Sequence, residues 1–208
     1  PSVSVILNID EDHMEYFKTR ENLIASFRRY LNNTREGGVV IYNAEDENSL
    51  QMIRTYSGKT VSFGLQTGEF TARNVILTAG LPGFEILHNG AFFCKVQLSV
   101  PGRHNVGNAL AAAAACFADG IPPEIIGRGL SEYAGAKRRF EYHCTVNGAV
   151  VADDYGHHPD AYAVTFRTAR DLGFRRIIAI HQPHTFSRTK LLMDDFVKIL
   201  STVDKVLI

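Results

Sequence analysis

Apolar positions come in short runs of strand length, separated by stretches in which they recur every three or four residues. Residues 3–9, VSVILNI, form an almost unbroken apolar run that predicts a buried strand. A helical pattern follows, with Phe17, Leu23, Ile24, Phe27 and Leu31 on one face and Gly37 and Gly38 closing it. VVIYN (39–43) predicts a strand, residues 46–56 a helix and TVSFG (60–64) a strand, an alternation that predicts a parallel α/β sheet. Over 68–100 the character changes. ARNVILT, FEILHNG and AFFCKVQLSV, divided by Gly, Pro and Asn, predict a small antiparallel meander.

From residue 103 the alanine-rich RHNVGNALAAAAACFADG predicts a helix ended by Gly120, with Pro122 and Pro123 blocking its continuation and a second short helix reaching about Tyr133. After GAKRRF (135–140) a new βαβ pattern begins. It has a strand at 149–152, a helix from Pro159 to Leu172, a strand in RIIAIH (176–181), a helix over about 190–200 and a strand at 205–208. The fold class expected is therefore α/β, a parallel-sheet domain with an antiparallel meander followed by a partial Rossmann-like βαβ domain. The boundary falls near Gly135, giving units 1–134 and 135–208.

Composition narrows the function classes. Among 208 residues, Lys plus Arg and Asp plus Glu both number 22, so no net basic charge points to nucleic acid. Three separated cysteines without a CxxC pair fit neither a disulfide framework nor a cysteine-rich zinc site, and a reducing cytoplasm is expected. No apolar run reaches membrane-spanning length, so membrane insertion is not expected. The chain starts at Pro1 in one strand-like run and stops in another, DKVLI, which predicts a piece of a longer protein.

Candidate chemistry gathers at strand ends, where parallel α/β sheets bind ligands. DDYGHHP (153–159) follows one strand and HQPHTFSRT (181–189) another, so both loops should open on the same edge. In the second, His184 and Arg188 suit an anion. Asp10, Asp12 and His13 follow the first strand, where a carboxylate and an imidazole suit a divalent cation. Asn105 and Asn108 stand one turn apart at a helix start: Asn105 could cap the helix, whereas Asn108 would be free for a ligand. His158 and Pro159 also have a plain reading as a helix start, and Arg188 as a solvated surface residue. SGKT (57–60) is not a phosphate loop, because position 53 is Ile and the segment runs from helix to strand.

Taken in order, NIDEDHMEYF, PGRHNVGNALAA, KRRFEY, VADDYGHHPDA and HQPHTFSRTK resemble the Mur ligases, ATP-dependent amide ligases of peptidoglycan synthesis. The resemblance covers essentially the whole chain. It implies that 1–134 are the later part of the central ATPase domain and 135–208 the start of the C-terminal domain. The N-terminal UDP-binding domain and the phosphate loop would lie outside these residues, which alone would be inactive. DDYGHHP with QPH…RT points to the branch that uses UDP-N-acetylmuramate and L-alanine as substrates, with ATP and Mg2+ as cofactors. By resemblance, His13 is the catalytic magnesium ligand and Arg139 the catalytic residue reaching the phosphates. His104, Asn105, Asn108, Asp154, Tyr155 and His157 form the nucleotide site, and His184 and Arg188 receive the amino acid. Phe27 stands near the position of a carbamylated lysine in other members, a lack common in the alanine-adding branch, and Thr185 where some carry Arg. Competing expectations are a sister ligase that attaches a peptide, a metallohydrolase built on His157, His158, His181 and His184, and a non-catalytic binding module.

Overall fold

The computed structural model describes residues 1–208. Strands β1 (Val3–Ile6), β2 (Val39–Asn43) and β3 (Lys59–Phe63) pair in parallel, alternating with helices α1 (Met14–Phe17), α2 (Arg20–Asn32) and α3 (Glu47–Ile53). The meander β4 (Phe70–Thr78), β5 (Leu81–His88) and β6 (Ala91–Gln97) is antiparallel, as expected. It is not a separate layer. Phe63 pairs with Phe70 in parallel, joining all six strands in the order β1 to β6. Helices α4 (His104–Ala118) and α5 (Pro123–Glu132) complete this unit.

The parallel strands are buried on both faces, which is why they read as continuous apolar runs. In β2 the pleat sends Val40 to a cluster with Ile6, Ile9, Leu23, Leu31 and Met52 beneath α2 and α3. Its neighbour Ile41 points to the opposite cluster with Phe63, Phe70, Phe84 and Ile86. Helix α4 covers that second face and touches β1 through β5. Its buried residues are Val106, Ala109, Leu110, Ala111, Ala113 and Ala114, so mostly methyl groups face the strands. Small side chains let the backbone lie close while Val106 and Leu110 fill the remaining space.

Local chemistry sets the boundaries. Asp46 caps α3 by accepting from the Ser49 amide at 2.8 Å, so the helix expected over 46–56 begins at Glu47 and ends at Ile53. Lys59 opens β3, which confirms SGKT as a helix-to-strand connection. The hairpin turns Asn89–Gly90 and Asn147–Gly148 place both residues at positive φ, the requirement of a two-residue type I′ turn. Ala79–Gly80 does the same at φ 48° and 76°, with an alanine where asparagine is usual.

The rest of the chain differs from expectation in a strand that was not expected, β7 (Glu141–Val146), and in one helix that is two. Strand β8 (Ala149–Asp153) pairs antiparallel with β7 as a separate hairpin and makes no ladder with β9 (Ile178–Ile180). A tight Asn–Gly turn brings β7 back beside β8, and pairing with the adjacent strand wins. Strand β9 does pair in parallel with β10 (Lys205–Leu207), around α6 (Pro159–Asp171) and α8 (Met193–Leu200). The helix expected over 190–200 is two: α7 (Phe186–Leu191) and α8, broken at Leu192.

His181 is buried beneath α8. Its Nδ1 lies 2.8 Å from the Tyr162 hydroxyl and its ring 5.4 Å from Phe196. Desolvation lowers its pKa from the ordinary 6.5, so the unfolded chain binds the proton more readily. The His181 contribution to stability is therefore complete above about pH 6.5 and lost as pH falls toward the lowered folded value. His181→Gln should flatten this limb in denaturant unfolding between pH 5 and 7.5; an unchanged slope there would contradict the assignment. Leu110→Ala should cost about 2–5 kcal/mol by the same measurement, whereas a loss below about 1 kcal/mol would mean that α4 does not seal the sheet.

Candidate active site

Three loops meet at one carboxylate. The loop after β1 carries Asp12 and His13, the loop after β8 carries Tyr155 and His157, and α7 carries Arg188. Arg188 Nη2 donates to Asp12 Oδ1 at 2.9 Å and lies 3.3 Å from His13 Nδ1, with Glu15 Oε1 at 3.8 Å. His157 Nε2 stands 3.4 Å and His13 Nε2 3.6 Å from Asp12 Oδ2. Arg188 is only 4% exposed, so the solvated-surface reading is wrong: this guanidinium is enclosed and paired.

Backbone geometry holds the loop after β1 in shape. His13 sits at φ 56°, a left-handed conformation that begins α1, and its amide donates to Asp12 Oδ1 at 2.7 Å. Partial burial alone would raise the Asp12 carboxyl. The His13 amide, the Arg188 guanidinium and the His13 and His157 imidazoles outweigh it and hold the group below its ordinary 3.8.

Asp12, His13 and His157 each offer a ligand atom, all within 4.8 Å of one another. The donor set fits a divalent cation. His157 Nδ1 lies 3.0 Å from the Tyr155 carbonyl and Nε2 faces the Asp12 carboxylate, so acceptors flank both ring nitrogens. Asp12, His13 and His157 would hold such a cation, which would supply positive charge toward an anionic ligand.

The sequence placed Tyr155, His157, His184 and Arg188 on one edge and His13 apart, after the first strand; the structure sets His13 beside Arg188 and His157. The His184 ring is exposed, 6.1 Å from that of His157 and 6.2 Å from that of Tyr155. Asp154 is used differently from a ligand contact: Oδ1 accepts from the Gly156 amide at 2.7 Å and Oδ2 from the Phe140 amide at 3.0 Å, which fixes the loop. Arg139 lines a cleft of about 590 Å³ with Lys137, Pro101, Phe140 and Leu172. The cation on the DDYGHHP loop is instead Arg138, whose Cζ lies 4.3 Å over the Tyr155 ring and whose carbonyl accepts from the Tyr155 amide at 2.7 Å. KRRF signalled cations here; Arg138, at φ 58° and exposed, is the one that lies over Tyr155.

At the start of α4 the N-cap is Arg103, without a side-chain bond, so Asn105 is not the cap. Asn105 donates to the Pro101 carbonyl at 2.8 Å and accepts from Asn108 at 2.9 Å, so Asn108 is not wholly free. The second amide hydrogen and the carbonyl of Asn108 stay available on an exposed side chain. His104 keeps solvent access, yet its neighbours desolvate it enough to lower its pKa, against the opposing charge of Asp154. His158 caps α6 by accepting from the Asp160 amide at 3.4 Å, and Pro159 is its first residue, the plain reading of both. With His158 a cap and His181 tied to Tyr162, the histidines of a metallohydrolase do not converge.

The chain is similar to known proteins over its whole length. The Mur ligase middle domain matches residues 1–116 and the Mur ligase glutamate ligase domain matches 138–208. A UDP-N-acetylmuramate–L-alanine ligase of Acetivibrio thermocellus is 38% identical over 211 residues, covering 100% of this chain and 45% of the relative. The crystal structure of the UDP-N-acetylmuramate–alanine ligase MurC from Thermotoga maritima superposes with a TM-score of 0.79 at 28% identity, over 99% of this chain and 45% of that one. The MurF ligase of Thermotoga maritima, solved in complex with ADP, shares the fold with a TM-score of 0.82 at 18% identity, over 99% of this chain and 48% of that one. The chain thus spans less than half the length of these relatives. Two matched domains in the same order, with the loops of both converging on one cluster, establish that the chain belongs to the Mur ligase family.

Proposed function

We propose that these residues are part of an ATP-dependent ligase that joins L-alanine to UDP-N-acetylmuramate, with 1–134 the later central domain and 135–208 the start of the C-terminal domain. The observation that carries this reading is the enclosed Arg188, reached from the C-terminal unit and set beside Asp12 and His13 of the other unit. A cation-binding cluster and a carboxylate-binding guanidinium within one edge are what an acyl-phosphate ligase needs. Similarity to the alanine-adding relatives over the whole chain supports the substrate assignment.

The reaction proceeds by phosphorylation of the muramyl carboxylate and attack of the alanine amine on the acyl phosphate, with release of phosphate. Asp12, His13 and His157 would hold Mg2+, which supplies charge neutralisation across the phosphates when bound. His104, Asn105 and Asn108 would line the adenine side, Arg139 would reach the phosphates, and Asp154 would shape the loop that presents Tyr155 and His157. The MurF relative solved in complex with ADP supports nucleotide binding. His184 would face the incoming amino acid and Arg188 would take its carboxylate. No helix is long and apolar enough to cross a membrane, and we place the enzyme in the cytoplasm with no nucleic-acid partner.

Two measurements on the full-length parent test the assignment. His13→Ala should lower turnover and shift the magnesium titration of phosphate release to higher concentration; an unchanged titration would return His13 to a structural role. Arg188→Lys keeps the charge and loses the planar fork. It should lower kcat/KM for alanine by roughly ten- to a hundredfold, on the order of 1.5–3 kcal/mol, while the KM for ATP stays near the wild-type value. Equal weakening of both substrates would make Arg188 a closure residue instead.

A further inference from the structure

Like charges face each other at the open end of the β7–β8 hairpin. Glu141 and Asp153 are directly opposed across the two strands, a pairing that destabilises a hairpin unless other groups compensate it. Arg138 engages both carboxylates: its amide donates to Glu141 Oε2 at 2.6 Å and its Nε to Asp153 Oδ2 at 3.2 Å.

Those bonds fix where the guanidinium goes. Its Cζ lies 4.3 Å over the centre of the Tyr155 ring, and the Arg138 carbonyl accepts from the Tyr155 amide at 2.7 Å, so one residue holds Tyr155 by ring and by backbone. An exposed ion pair alone fixes little. Here the ion pair, the ring contact and two backbone bonds converge on one residue, and together they hold the start of the loop after β8.

Tyr155 in turn bears on two imidazoles. The His157 ring meets the Tyr155 ring in a T-shape at a centroid distance of 5.6 Å, and the His184 ring stands at 6.2 Å. The Tyr155 carbonyl lies 3.0 Å from His157 Nδ1, which leaves Nε2 facing Asp12 Oδ2 at 3.4 Å. A partner on one ring nitrogen sets the orientation in which an imidazole offers the other to a cation.

We propose that Arg138 is a positioning residue for His157: it anchors Tyr155, and Tyr155 sets the imidazole that completes the cation cluster with Asp12 and His13. This rests on the reading of that cluster given above. Arg138 acts through Tyr155 and touches neither cation nor substrate. Its neighbour Arg139 lines the cleft instead and takes no part in this hold.

The test uses the full-length parent and the Arg138→Met variant, which keeps most of the stem and loses the charge and the Nε donor. The magnesium concentration for half-maximal phosphate release should rise roughly threefold to tenfold, a step below the loss expected for a direct partner of a ligand. Arg138→Lys should recover most of it, because an ammonium still reaches the carboxylate and the ring. In a Tyr155→Leu background Arg138→Met should add little, since the two residues act in one line. A second readout needs neither metal nor turnover: amide hydrogen exchange at 155–157 should quicken in Arg138→Met, while 104–118 stay as in the wild type. Faster exchange confined to 141–152, or a magnesium shift that adds in full to that of Tyr155→Leu, would make Arg138 a hairpin residue only and overturn the inference alone. A wild-type parent whose phosphate release ignores alanine would overturn the functional reading and this inference with it.

Discussion

A guanidinium withdrawn from water must meet a carboxylate, and Arg188 meets Asp12, 176 residues away in the chain. The contact joins the loop after the first strand to the short helix α7. Burying Arg188 without Asp12 would leave an uncompensated charge, so the loop after β1 and α7 are bound to a common position. His157 then enters from a third loop because its Nε2 finds the second oxygen of the same group. One carboxylate thereby organises a cluster that no single element could build.

The scaffold beneath it depends on close packing of small groups. Alanines on the buried side of α4 let it lie across five strands, and the hydrophobic face beneath it extends without a break from the parallel strands into the meander. That continuity sets the loop after β1 and the start of α4 on the same core, so the Asp12 loop and the asparagine pair share one scaffold.

Much of the fold was legible because its signals are local. Runs of strand length, helical spacing, Asn–Gly turns and the glycine and prolines after α4 fixed the succession of elements up to Tyr133. The site was legible in part: His13, Tyr155, His157, His184 and Arg188 stand on loops at strand ends and do come together. Asp12 was visible only as one of several acids near His13, since nothing in its neighbourhood marks it as the partner of a residue 176 positions away. Asp154 and Asn105 carry ligand-like chemistry, yet backbone groups nearby take their hydrogen bonds first.

By itself, then, the sequence determined the order of the strands up to α4, the two-sided burial of the parallel strands and the chemical character of each loop, because periodicity, capping and turn chemistry act over a few residues, whereas β7 and the breaks between α1 and α2 and between α7 and α8 escaped it. Tertiary structure decided which loops share a point in space, whether β8 joins β7 or β9, and whether Arg138 or Arg139 turns onto Tyr155. These outcomes depend on desolvation and packing between remote segments. A charged side chain reads the same in the sequence whether solvated or buried, and only the fold settles which of the two it is.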